Sequence, residues 1–296
     1  MEALQFESMP ALRCPYLFLT FAGWSDAAEV ATAAGRFLVE HLQAERFAWI
    51  DPEEFYAFSD LRPQALYNAE GQREIVWPAN EFFYSQHPEL DHDIIIAVGV
   101  EPHLKWRTFT GLILELIQRC EVYQTITLAA LWADVLYSAP VEFSGSATDP
   151  ELAARLGLGS GSRYEGPTGM VGVLHDTLRR QGLTSVSLWA NMPYYITTTP
   201  NPIGILALVR RAMEIAGLPA AFPELEQEAR DFEARVARAI AKDPKVAAHV
   251  RELERRAARQ RRLRPRLPQE GKVSGEDIAA QFERFLREYR RESEQD

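Results

Sequence analysis

Short apolar runs alternate along this chain with stretches of helical periodicity, and that alternation restricts the fold more than any other feature. Residues 16–21, 46–50, 93–98, 125–131 and 185–189 are five to seven residues long and rich in β-branched and aromatic side chains, so each is expected to be a strand. In the run 93–98, Asp93 is followed by Ile94, Ile95, Ile96, Ala97 and Val98 with no polar interruption. Strands of that kind are covered on both faces, as in parallel sheets. Helices are expected over 27–42, with Val30, Ala34, Phe37, Leu38 and Leu42 on one face, and around 109–117, where Phe109, Leu112, Ile113, Leu116 and Ile117 recur at helical spacing. Asp149-Pro150 and Asn201-Pro202 place a capping side chain before a proline at the first helical position, which starts helices at 150–156 and 202–216. Another helix opens at Gly169 and runs to about Gln181, where Gly182 stops it. The expected fold class is therefore α/β: a mainly parallel sheet with helices on both faces.

Between residues 53 and 85 the pattern changes to short aromatic pieces, and Glu70-Gly71 between β-formers predicts a hairpin. From Pro223 onward Leu225, Ala229, Phe232, Val236 and Ile240 step by four, three, four and four along one helical face. Asp243-Pro244 restarts the helix. The expected organisation is an α/β core over residues 1–222, a helical arm over 223–264, a linker over 265–273 and an amphipathic helix over 274–296.

The 296 residues carry a formal net charge of −10. Residues 1–222 hold 14 Lys/Arg against 26 Asp/Glu, and residues 223–296 hold 18 against 16. An acidic body is unsuited to a nucleic-acid groove, because neutralising phosphates needs clustered positive charge. The seven arginines between Arg255 and Arg266 fit the solvated end of a helix. Nucleic acid is accordingly not an expected partner. No apolar run approaches the ~20 residues that span a bilayer as a helix, and the first ten residues lack the basic and apolar regions of a signal peptide. Cys14 and Cys120 are two isolated thiols without metal-site spacing. A cytoplasmic location, no membrane association, no metal and no cofactor are expected.

Three strings fall at or near the C-terminal ends of expected strands: Gly23-Trp24-Ser25-Asp26, Gly99-Val100-Glu101-Pro102-His103 and Glu165-Gly166-Pro167-Thr168-Gly169. Ligands of open parallel sheets bind along that edge, and glycines with hydroxyls at helix starts favour anions. Asp26, Glu101, Arg107, Glu165 and Thr168 are the candidate pocket residues. Glu101 could act as a base or bind a ribose-like hydroxyl, and Arg107 could clamp a phosphate or carboxylate. The plainer alternative is capping and turn chemistry, with an Arg107–Glu101 ion pair steadying the loop. The chain spells out no phosphate loop, no His-Glu-x-x-His and no Gly-x-Ser-x-Gly, and no complete catalytic site. The aromatics Phe55, Tyr56, Tyr67 and Trp77 are candidate protein contacts, since aromatic side chains dominate interface hot spots, with core packing or homo-oligomer contacts as the alternative.

Those strings, together with Asp51-Pro52-Glu53-Glu54-Phe55-Tyr56 running into Arg62-Pro63 and with Trp106-Arg107, resemble the proteasome assembly chaperone 2 (PAC2) family in its bacterial, actinobacterial-type branch. The resemblance runs in order over about residues 12–255. It implies a three-layer α/β/α sandwich similar to purine nucleoside phosphorylase-like folds, a C-terminal helical extension and a homo-oligomer. The function it implies is that of a non-catalytic, assembly-chaperone-like protein whose client is a proteasome subunit or another complex. An enzyme or sensor for a nucleoside-like or phosphorylated small molecule at the sheet edge is the alternative.

Overall fold

The structure is a computed structural model that describes residues 3–88, 90–158 and 164–263. In chain order the elements are β1 (Leu4–Phe6), β2 (Tyr16–Ala22), α1 (Val30–His41), β3 (Glu45–Ile50), β4 (Gln64–Tyr67), β5 (Arg73–Val76), β6 (Asn80–Ser85), β7 (Ile94–Val100) and α2 (Trp106–Arg119). There follow β8 (Gln124–Ala133), β9 (Phe143–Ala147), α3 (Pro150–Arg155), α4 (Met170–Arg180), β10 (Ser185–Pro193), α5 (Pro202–Ala216), α6 (Pro223–Lys242) and α7 (Pro244–Leu263). Eight strands form one sheet in the order β1-β3-β6-β7-β2-β8-β10-β9. The central four, β7, β2, β8 and β10, are parallel. The flanking strands pair antiparallel, β6, β3 and β1 on one side and β9 on the other.

Side-chain alternation along the central strands sends apolar groups to two cores. Phe18 of β2 joins Ile94, Ile96, Ile126 and Leu188 under α1 and α5. Leu17, Leu19 and Phe21 join Ile95 and Ala97 under α2 and α4. This is why the isoleucine run of β7 has no polar face: both sides of it are covered. The face of α6 formed by Leu225, Ala229, Phe232 and Val236 is buried, the first two in the core beneath α1 and α5. Phe232 and Val236 pack with Ile196.

The expected strands and helices of the core are present, and three strands were not expected. β6 is a short polar-aromatic strand, and β1 and β9 close the two edges of the sheet. The helix expected from residue 27 starts at Val30, after a 3-10 turn in which Ala28 and Glu29 take left-handed backbone angles, φ 56° and 54°. Such angles cost non-glycine residues about 1–3 kcal/mol each. Here they are held by the Asn201 N–H donating to the Ala28 carbonyl at 3.1 Å and by the cap that Asp26 provides.

Contacts divide the chain into Met1–Val250 and Arg251–Asp296, and of the second unit only residues 251–263, in α7, are described. The expected linker at 265–273 and helix at 274–296 lie outside the described residues. No described helix is long and apolar enough to cross a membrane.

Candidate functional site

The three strings do meet at the C-terminal edge of the parallel strands, and Glu101 is what joins them. Its Oε1 accepts the Met170 N–H at 2.5 Å, the first turn of α4, and its Oε2 accepts the Trp24 N–H at 3.3 Å. A carboxylate at a helix start satisfies a backbone donor that has no partner inside the helix and faces the positive end of its dipole. Gly169 makes the approach possible: a Cβ there would lie 2.7 Å from Glu101 Oε1 and 2.8 Å from the Trp24 ring. The Glu101 N–H donates to the Ala22 carbonyl at 2.9 Å, which ties the ends of β2 and β7 together. The Arg107–Glu101 ion pair is not formed. Arg107 lies exposed on α2, and both carboxylate oxygens of Glu101 serve backbone N–H groups instead.

Asp26 turns into the fold. Its Oδ1 accepts the N–H groups of Ala31 at 2.7 Å and Thr32 at 3.2 Å, and its Oδ2 accepts the Thr32 hydroxyl at 2.5 Å. Burial pushes its pKa up from the ordinary value, against these hydrogen bonds, which pull it down. It caps α1. Glu165 and Thr168 stand exposed in the loop before α4. The five candidate pocket residues are thus not assembled as one charged cluster. Glu101 fastens loops, Asp26 caps a helix, and the other three remain at the surface.

The histidines also fasten structure. His103 Nδ1 accepts the Ala57 N–H at 3.2 Å. His175 lies between the hydroxyls of Ser146 and Ser185, each at 3.1 Å, and burial pushes its pKa down. In the Asp91-His92-Asp93 triplet, Asp93 is fully buried and pairs with Arg13 at 2.5 Å, while His92 Nδ1 lies 2.7 Å from the Cys14 carbonyl. Among the described residues no group of His, Cys, Asp and Glu is arranged to hold a metal ion.

The four aromatic candidates divide sharply. Phe55 and Tyr56 belong to the core beneath α2, so for these two the packing alternative holds and they are not surface anchors. The Tyr56 hydroxyl donates to the Val100 carbonyl at 2.6 Å and accepts from the Asn80 side-chain amide. Tyr67 and Trp77 are 75% and 47% exposed. They lie on and beside the β4–β5 hairpin, a separate two-stranded sheet whose eight strand residues are all exposed. Gly71 turns that hairpin at φ 76°, and Asn68 Oδ1 gathers the N–H groups of Glu70 and Gln72 inside the loop. Leu66, Ile75 and Val76 are exposed there as well.

A groove of about 680 Å³ runs beside the hairpin to the ends of β2 and β7, with Arg36, Arg46, Trp49, Asp51 and Trp77 among its walls. Sequence reasoning passed over it. Its walls come from five separate stretches of chain, and the one available signal was an arginine at position 36 on a helix whose opposite face is apolar.

Comparison with known proteins places this geometry. The family model for the PAC2 family matches residues 20–240. Among solved structures, a PAC2 family protein from Streptomyces avermitilis is 33% identical with a TM-score of 0.74, covering 80% of this chain and 99% of its own. A proteasome-assembly chaperone homologue from Mycobacterium tuberculosis is also 33% identical, with a TM-score of 0.72, covering 79% and 99%. The archaeal proteasome activator PbaB of Pyrococcus furiosus, 17% identical with a TM-score of 0.64 over 80% and 97%, shares the fold. No curated protein matches the chain. Family model and structural relatives agree over the α/β core, and the chain belongs to the PAC2 family.

Proposed function

We propose that this protein is a non-catalytic, assembly-chaperone-like binder of a protein client, and that the β4–β5 hairpin is its principal contact. The observation that carries the reading is the hairpin itself: Leu66, Tyr67, Ile75 and Val76 in one small two-stranded sheet and Trp77 just after it, all between 46% and 75% exposed. A lone two-stranded ribbon is marginal in water, and clustered exposed apolar side chains mark interaction surfaces. The acidic groups that could do chemistry support the same reading, since Asp26 and Glu101 spend their oxygens on backbone groups and a hydroxyl of the protein itself.

Proteasome subunits are the first client to test, because relatives with this fold are described as a proteasome-assembly chaperone homologue and a proteasome activator. Homo-oligomer formation and a cytoplasmic location belong to the same proposal. The test is a binding titration of proteasome subunits from the source organism against the full chain and against a Leu66→Ser, Tyr67→Ser, Ile75→Ser variant. Loss of more than tenfold in affinity with an unchanged melting curve is expected. Equal affinity of a folded variant would remove the hairpin from the proposal, and sedimentation of each protein alone reports self-association through the same surface.

A further inference from the structure

The groove beside the hairpin has the size of a small-molecule site. Its volume of about 680 Å³ falls in the ~300–1,000 Å³ range of such pockets. It reaches Ala22 and Gly99, at the C-terminal ends of β2 and β7. The chain leaving β2 enters α1 on one face of the sheet, and the chain leaving β7 enters α2 on the other. That divergence opens the crevice where α/β sheets of this kind take their ligands.

The two arginines of the groove are in different electrostatic states. Arg46 is spent: its Nη1 and Nη2 each lie 2.5 Å from a carboxylate, of Glu81 and Glu7, and its guanidinium sits 5.4 Å from the centre of the Trp49 ring. Arg36 is exposed on α1 and donates through Nη2 to the Thr32 hydroxyl at 3.2 Å. That hydroxyl is itself held by Asp26. Among the described residues no carboxylate lies within ion-pair distance of Arg36; the buried Asp26 attracts it through space and through the Thr32 hydroxyl, and Arg36 lines the groove as an exposed cation. Trp49 and Trp77 add flat apolar surface, Trp77 being braced edge-on by Phe58 at 4.9 Å. Asp51 and Glu53 line the groove as acceptors.

We propose that this groove binds a small planar anion: a ring lying on Trp49 and Trp77, an anionic substituent on the guanidinium of Arg36, and a hydrogen-bond donor toward Asp51 and Glu53. Asp26 and Thr32 are then positioning residues, holding Arg36 without touching the ligand. A nucleoside monophosphate and an amino-substituted aryl carboxylate share this chemistry. The site does not rest on the client-binding reading, although Trp77 borders both surfaces.

The test is calorimetric titration of the full chain with AMP and, separately, with 4-aminobenzoate, repeated on Arg36→Gln and on Arg107→Gln, which changes an exposed arginine outside the groove. Saturable one-to-one binding of either probe is expected, weakened at least tenfold by Arg36→Gln and unchanged by Arg107→Gln. Which probe binds identifies the source of the ring. No heat with either probe up to millimolar concentration, or the same affinity in a folded Arg36→Gln protein, would overturn the proposal.

Discussion

The Glu101 carboxylate holds the first turn of α4 and the loop after β2 at once, through the N–H groups of Met170 and Trp24. Replacing it with alanine leaves both donors without that partner. Glu101→Ala is expected to lower stability by about 1–3 kcal/mol, read as a lower urea midpoint with an unchanged slope, and Glu101→Gln by less, because the amide keeps one acceptor. His175 gives a pH dependence whose sign follows from its burial. Its folded pKa lies below the ordinary value, first through desolvation and then through Arg179. The unfolded chain therefore takes up the proton first as pH falls. Stability is complete above about pH 6.5, the unfolded value, and is lost as pH drops toward the folded one. The urea midpoint should fall more steeply between pH 7.5 and 5 in the wild type than in His175→Gln. Sequence located Glu101, the glycines and the hydroxyls at the right edge and offered capping and turn chemistry as their plainer role, but did not identify the partners. The partners of Glu101 are backbone groups of residues 69 and 77 positions away, and no periodicity encodes such distances.

Elements with a strong local signal were legible in the sequence, and those defined by their neighbours were not. The Asn201 cap accepts from Ile203 and Gly204, and the Asp149 cap accepts from Glu151, as the residue types required. Apolar stepping along residues 225–236 gave the buried face of α6. Phe232 is 3% exposed on that face. Phe232→Ala should cost about 3–5 kcal/mol in chemical denaturation, while Asp231→Ala on the exposed side should cost almost nothing. β6 and β9 escaped because a flanking strand is stabilised by the strand beside it. β9, Phe143–Ala147, is rich in serine and glycine and exists through its pairing with β10. Aromatic residues raised the same difficulty. Nothing local separates Phe55, fully buried under α2, from Tyr67 on the open hairpin.

At the scale of the molecule, four parallel strands are sheathed by α1 and α5 on one face and α2 and α4 on the other, and the hairpin forms a separate sheet whose strand residues are all exposed. The alternation of strands and helices made that layering readable in advance. The groove was not readable, since it depends on how α1, β3 and the hairpin are brought together in space. The proposed client binding can be examined where the exposed apolar ribbon is. A photo-crosslinking amino acid placed at Tyr67, 75% exposed, with Tyr123, 52% exposed, as the control, can be activated in cells of the source organism and its adducts identified. The account requires one dominant protein adduct at position 67 that is absent at position 123. The same set of adducts at both positions, or none at 67 above background, would contradict it.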